Sequence, residues 1–185
     1  MRSGVFIFLF VISIPSLSQS TEDIFNNKFI LRNGIYASYK EILENSPKYP
    51  DCSLKVDYTF FDTTYYNYID EHSNIREYND TLFAVVNNGI LYIRHNARLI
   101  VVFIKGAISI FNTGSNPIAL SDDNFFIVDL MNGSIKRLNI KNLEEIIMRD
   151  NGLYDEYSRL TKSEKRKLLY PYILRYNERN PIVIE

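Results

Sequence analysis

Along residues 54–60 apolar and polar positions alternate: Leu54, Val56, Tyr58 and Phe60 are separated by Lys55, Asp57 and Thr59. A strict period of two predicts a β-strand with one buried face. The middle of the chain shows a different pattern, short apolar runs on either side of turn residues. Leu82–Val86 and Ile90–Arg94 flank Asn87-Asn88-Gly89, and Asn-Gly tolerates the positive φ values of a tight hairpin. Leu99–Ile104 and Ala107–Phe111 flank Lys105-Gly106; Phe125–Leu130 and Ser134–Leu138 flank Met131-Asn132-Gly133. Successive hairpins predict an antiparallel meander of about six strands, with the 54–60 strand as a seventh. Val101–Ile104 is apolar at every position, which predicts a central strand covered on both faces. Residues 61–80 are polar, rich in tyrosine and without a period. They read as loop, with a short strand near Ile75–Tyr78.

Helical spacing appears at both ends of this block. Ser38 and Glu41 have capping-box spacing, Tyr39, Ile42 and Leu43 follow, and Asn45-Ser46-Pro47 closes a short helix. Ahead of it, Thr21–Arg32 has no period and reads as an extended lead-in or edge strand. In the last third, Leu143, Ile146 and Ile147 form one apolar stripe. Tyr154, Tyr157 and Leu160 form another after the Asn151-Gly152 break. Thr161 and Glu164 repeat the capping-box spacing before a segment that turns Leu168, Leu169, Tyr172, Ile173 and Tyr176 inward. Pro171 lies inside that segment and predicts a kink. The tail Asn180–Glu185 reads as frayed. Strands first and helices afterwards define an α+β class: an antiparallel meander of six or seven strands, a short N-terminal helix, and two or three C-terminal helices packed on the sheet.

The first 20 residues stand apart. One cation, Arg2, precedes an apolar run from Val5 to Ile14; Pro15 ends the run and Ser16-Leu17-Ser18-Gln19-Ser20 follows. That is the layout of a secretory signal peptide, cleaved after Ser18 or Ser20. Ser16 and Ser18 fill the two small-residue positions, which favours Ser18. The apolar run is about half the ~20 residues a membrane span needs, so no transmembrane span is expected after cleavage. The chain of 185 residues less these 20 leaves 165, residues 21–185, enough for one domain. Loss of Arg2 takes the formal charge from −1 to −2, against the basic excess of a nucleic-acid binder. The expected location is secreted or periplasmic. Cys52 is the one cysteine, so no internal disulfide forms; it is a free thiol, an intermolecular bridge or a buried apolar residue.

Candidate chemistry is sparse. Asp70-Glu71-His72 is an acidic patch with one imidazole, short of the three ligands a catalytic zinc needs. Arg94, His95 and Arg98 lie across a turn, and two guanidiniums with an imidazole make an anion-binding corner for phosphate or carboxylate. These three are the candidate binding residues. Cys52 lacks an adjacent base or helix start to lower its pKa. No Gly-x-Ser-x-Gly elbow occurs, and the glycines are scattered rather than clustered into a phosphate loop. Lys162-Ser163-Glu164-Lys165-Arg166-Lys167 is the densest basic stretch. On a helix Lys162, Lys165 and Arg166 fall near one face, either solvated or touching an anionic polymer, phospholipid head groups or a partner. No catalytic residue, metal site or cofactor is assigned.

Two stretches carry a resemblance. Gly34-Ile35-Tyr36-Ala37-Ser38-Tyr39-Lys40-Glu41 with Asn45-Ser46-Pro47 resembles the opening box of a group of uncharacterised small exported proteins of Bacteroidota. Leu153-Tyr154-Asp155-Glu156-Tyr157 through Arg175-Tyr176-Asn177-Glu178-Arg179-Asn180-Pro181 is similar to their C-terminal helical box. The resemblance implies a bacterial envelope setting and brings no catalytic residues. Three functions follow as expectations. The first is a non-enzymatic domain binding a protein or polymer of the envelope or outside the cell. The second is an envelope hydrolase assembling His72, His95, Asp70 and Glu71 in space. The third is a structural subunit that pairs through a sheet edge.

Overall fold

A computed structural model describes residues 30–60, 63–70, 72–78, 81–114 and 124–183. The expected signal peptide, Glu71 and residues 21–29 of the lead-in lie outside the described residues.

The meander forms as the hairpin signals require. Strands β6 (Ala84–Asn87), β7 (Ile90–His95), β8 (Arg98–Ile104), β9 (Ile108–Asn112), β10 (Phe125–Asp129) and β11 (Ser134–Arg137) lie side by side in chain order. Asn88 and Gly89 both take positive φ, 50° and 75°, which matches the right-handed twist of the strands they join. Two further strands complete an eight-stranded antiparallel sheet beyond β6. They are β1 (Gly34–Tyr36) and β2 (Tyr49–Pro50), on either side of helix α1 (Tyr39–Leu43).

The alternating 54–60 segment belongs elsewhere. It forms β3 (Ser53–Phe60), which pairs with β4 (Thr63–Ile69); β4 pairs in turn with β5 (Ile75–Tyr78) in a separate three-stranded sheet. The expected loop over 61–80 is therefore corrected: most of it is strand. Thr63–Ile69 reads T-T-Y-Y-N-Y-I, and tyrosine, apolar in its ring and polar at its tip, erases the period-two contrast.

One face of the large sheet holds Tyr36, Ala84, Val86, Leu91, Ile93, Val102, Phe111 and Val128 around Ile42 of α1. Tyr39 of α1 lies near Phe83, with ring centroids 6.5 Å apart, and also against Gly133 in the β10–β11 turn. The sheet thus curls its two ends toward one short helix. The opposite face carries two layers. The three-stranded sheet covers the β1–β6 end through Ile35, Cys52, Tyr78, Leu82 and Val85. Helices cover the β9–β10 end: α2 (Ile140–Ile147), α3 (Asn151–Ser158), α4 (Lys162–Lys167) and α5 (Leu169–Arg179). Between these layers Val101 is 48% exposed. Strand β8 is central as expected, but it is not covered on both faces along its length.

The helical stripes bury Leu143, Ile146, Ile147, Leu153, Tyr157, Leu169, Tyr172, Ile173 and Tyr176. The expected kinked segment is instead two helices, giving four C-terminal helices. Pro171 has no N–H to donate to Lys167, and its ring crowds that carbonyl. The chain breaks at Leu168 (φ −103°, ψ 10°), and Pro171 falls in the first turn of α5. The tail is tied at least to Ile182, which packs against both main apolar clusters.

Candidate functional site

The two sequence boxes are structural fastenings. In the first, Tyr36 donates its hydroxyl to the Arg32 carbonyl at 2.7 Å. Asn45, at φ 47°, accepts from the Arg32 N–H at 2.7 Å. Ser38 caps α1 by accepting from the Glu41 N–H at 3.4 Å. Glu41 reaches one residue further back than in a capping box and accepts from Ala37 N–H at 2.7 Å. A Cβ on Gly34 would sit 2.5 Å from the Tyr49 carbonyl oxygen and 2.8 Å from Pro47, so only glycine fits there.

In the second box, Arg175 meets Glu156 at 2.6 Å and Arg179 binds Asp150 through two nitrogens at 2.6 and 2.7 Å. Asn177 is buried and pairs with the backbone of Ile108. Asp150 caps α3 by accepting from the Leu153 N–H at 3.1 Å. Its carboxyl is held down to about 2, first by the Arg179 hydrogen bond, then by Leu153 N–H and Asn180 against the effect of burial.

The arginine corner is divided by strand alternation. Asn96 (φ 47°) and Ala97 (φ 59°) make a two-residue turn that sets His95 opposite Arg98 and Arg94 opposite Leu99. Directly paired residues share a face. His95 and Arg98 therefore lie on the α1 face of the sheet, whereas Arg94 lies on the other with Tyr92 and Leu99. The His95 ring rests on Phe126 and Phe111, at 4.5 and 5.3 Å between centroids. Partial burial lowers its pKa from the ordinary imidazole value.

The remaining chemical candidates are separate. His72 sits in the β4–β5 turn, and its N–H donates to Asp70 at 3.0 Å. Asp70 also accepts from Asn74 N–H at 2.8 Å and from Arg76 at 3.2 Å, which hold its carboxyl below the ordinary value. Cys52 is a buried thiol in the apolar cluster under the small sheet. Among the described residues, no three of His, Cys, Asp and Glu gather as metal ligands would.

A concave feature lies at the helical end. A cleft of about 440 Å³ opens between the β11–α2 corner and α4, with Arg137, Lys141, Lys162 and Arg166 along it. Leu138 and Leu169 form its buried floor beside Ile140.

 Leu169, the first residue of α5, is only 4% exposed, so the apolar floor is continuous with the core beneath the helices. Lys162 and Arg166 are one turn apart on α4 and share a face. Lys165, which the sequence places beside them, turns inward: its ammonium meets Glu144 at 2.6 Å and lies 5.4 Å from the centre of the Tyr157 ring. Among the described residues no carboxylate, histidine or cysteine lines the cleft. None of its four cations forms an ion pair among the described residues, whereas Lys136 on β11 and Arg149, Lys165, Arg175 and Arg179 in the helical layer are each matched to an acid. Sequence reasoning found the α4 half of this cleft and missed Arg137 and Lys141. The available signal was the Lys162–Arg166 spacing; nothing in the sequence says which distant segment faces it.

No protein-family model, curated protein or solved structure matches the chain. No helix among the described residues is long and apolar enough to cross a membrane.

Proposed function

We propose that this is an exported, non-enzymatic domain that binds a protein or polymer of the cell envelope or the extracellular space, with the basic cleft as its contact surface. The observation that carries this reading is the gathering of four cations in one open cleft, none of them in an ion pair and no carboxylate in the lining among the described residues. Like charges held together repel, and an anionic partner relieves that repulsion. The distribution of the other chemical groups supports binding over hydrolysis. His72 and His95 belong to hairpins of different sheets, and the Asp70 carboxylate is engaged in its own turn. Pairing through an edge of the large sheet has less support, because its outer strands β2 and β11 are two and four residues long; the longer edge is β3 of the small sheet, eight residues paired with β4 alone among the described residues.

The test is co-sedimentation of the purified protein with an insoluble envelope fraction, beside an Arg137→Ala/Arg166→Ala variant and an Arg94→Ala/Arg98→Ala variant. Retention that survives the hairpin substitutions and is lost with the cleft substitutions is the expected result. Retention lost only with the hairpin substitutions would move the contact to the β7–β8 tip. Equal retention of all three proteins would remove both surfaces from consideration.

A further inference from the structure

Resting on the reading of the cleft as the contact surface, we infer that its ligand is an organic group carrying two neighbouring phosphoryl groups. Charge density decides the class. The cleft gathers four formal positive charges in about 440 Å³, toward the small end of ligand pockets. A carboxylated polymer brings about one negative charge per sugar unit, and few such units fit this volume. A phosphoryl monoester carries about −1.5 to −2 near neutral pH, so two of them match the four cations within the space.

The donor types agree with that class. Arg137 and Arg166 present planar forks that bind phosphoryl oxygens in pairs, while Lys141 and Lys162 act as point charges. Among the described residues the lining contains no acceptor side chain other than the Asn139 amide, whose oxygen already takes the Asn142 N–H at 2.9 Å to cap α2. Leu138, Ile140 and Leu169 offer an apolar floor, suited to the carbon skeleton that carries the phosphoryl groups rather than to the groups themselves. The shared chemistry, two close phosphoryl groups on an organic carrier, is supplied by a soluble bisphosphate ester or by phosphorylated head groups displayed on a surface.

Isothermal titration of the purified protein with inorganic pyrophosphate, orthophosphate and citrate tests the class. Pyrophosphate should bind at least tenfold more tightly than either of the others. The Arg137→Ala/Arg166→Ala variant should lose at least tenfold, and Arg94→Ala/Arg98→Ala should lose nothing. All substituted side chains are exposed, so matching thermal melts should accompany these changes; Arg166→Lys, which keeps the charge and removes the fork, should lose part of the affinity. Citrate binding as tightly as pyrophosphate would overturn the phosphoryl assignment and leave the cleft as an anion-binding surface. Failure of every anion to bind would overturn the assignment and weaken the reading of the cleft itself. Retention of envelope material through the cleft in that case would leave a protein partner as its ligand. A second arm offers vesicles containing a phosphomonoester lipid beside phosphatidylcholine vesicles. Selective sedimentation with the former identifies displayed head groups as the source, and pyrophosphate binding without it identifies a soluble ester; both results require the phosphoryl class.

Discussion

The side-chain amide of Asn177 on α5 pairs with both backbone groups of Ile108 on β9. The Ile108 N–H donates to Oδ1 at 2.8 Å, and Nδ2 donates to the Ile108 carbonyl at 2.8 Å. One side chain thus stands in for a neighbouring strand at a buried point where the β8–β9 hairpin leaves the ladder. The fit depends on Gly106, because a Cβ there would lie 2.5 Å from the Asn177 amide. Asn177→Leu keeps much of the volume but strands a buried donor and acceptor. The expected loss is about 2–4 kcal/mol, read by urea denaturation. A loss below about 0.5 kcal/mol would show that the backbone groups find other partners.

Asp129 presents a second buried dependence. Its side chain is 2% exposed and meets Arg149 through two nitrogens at 3.0 and 2.6 Å. Arg149→Met removes the cation and leaves the carboxylate buried, with the Met131 N–H at 3.1 Å as a remaining donor. Because the guanidinium reaches water, the expected loss is about 3 kcal/mol, the lower end for a broken buried pair. Adding Asp129→Asn should recover part of it. A double variant less stable than Arg149→Met would show that the ion pair is not the source of the loss.

The Asp150–Arg179 pair sets a pH dependence. The folded-state carboxyl titrates at about 2, below its ordinary value. Its contribution is therefore complete above the unfolded pKa near 4 and disappears as pH falls from about 4 to about 2. Asp150→Asn retains a good N-cap for α3 but removes this charge. The difference in melting temperature between wild type and Asp150→Asn should be constant from pH 5 to 7 and shrink across the lower window. A difference that stays constant down to pH 2 would rule out the linkage.

Local rules reached further than long-range ones. The Asn88-Gly89 turn and the alternation of the β3 segment are written in neighbouring residues, and the α+β order follows from them. The separate sheet was not legible, because tyrosine-rich β4 lacks polar contrast. Nor was the division of the Arg94, His95 and Arg98 corner. That depends on a two-residue turn with Ala97 at φ 59°, a conformation alanine rarely adopts. The cleft was half legible for a related reason. Arg137 and Lys141 meet Lys162 and Arg166 only after two intervening helices have folded back, and each basic segment alone reads as a solvated face.

Helix α4 buries no residue of its own under the α2–α3 layer, so its placement depends on a few contacts. Lys165 supplies several: the 2.6 Å ion pair with Glu144, the approach to Tyr157, and a backbone carbonyl that accepts the Tyr157 hydroxyl at 3.2 Å. Its side chain is only 14% exposed, unlike the other cations of α4. Lys165 is thus a positioning residue that holds Lys162 and Arg166 toward Arg137 and Lys141. Lys165→Met keeps the aliphatic packing and all four cleft cations while removing the ion pair. Amide exchange at residues 162–167 should accelerate several-fold, with exchange in α5 unchanged, and pyrophosphate affinity should fall less than it does with Arg137→Ala/Arg166→Ala. Raising the salt concentration should weaken the residual binding in the same proportion as in wild type, because the cations that touch the ligand are retained. Unchanged exchange together with unchanged affinity would show that the capping box of Thr161 and Glu164 suffices to hold α4 in place.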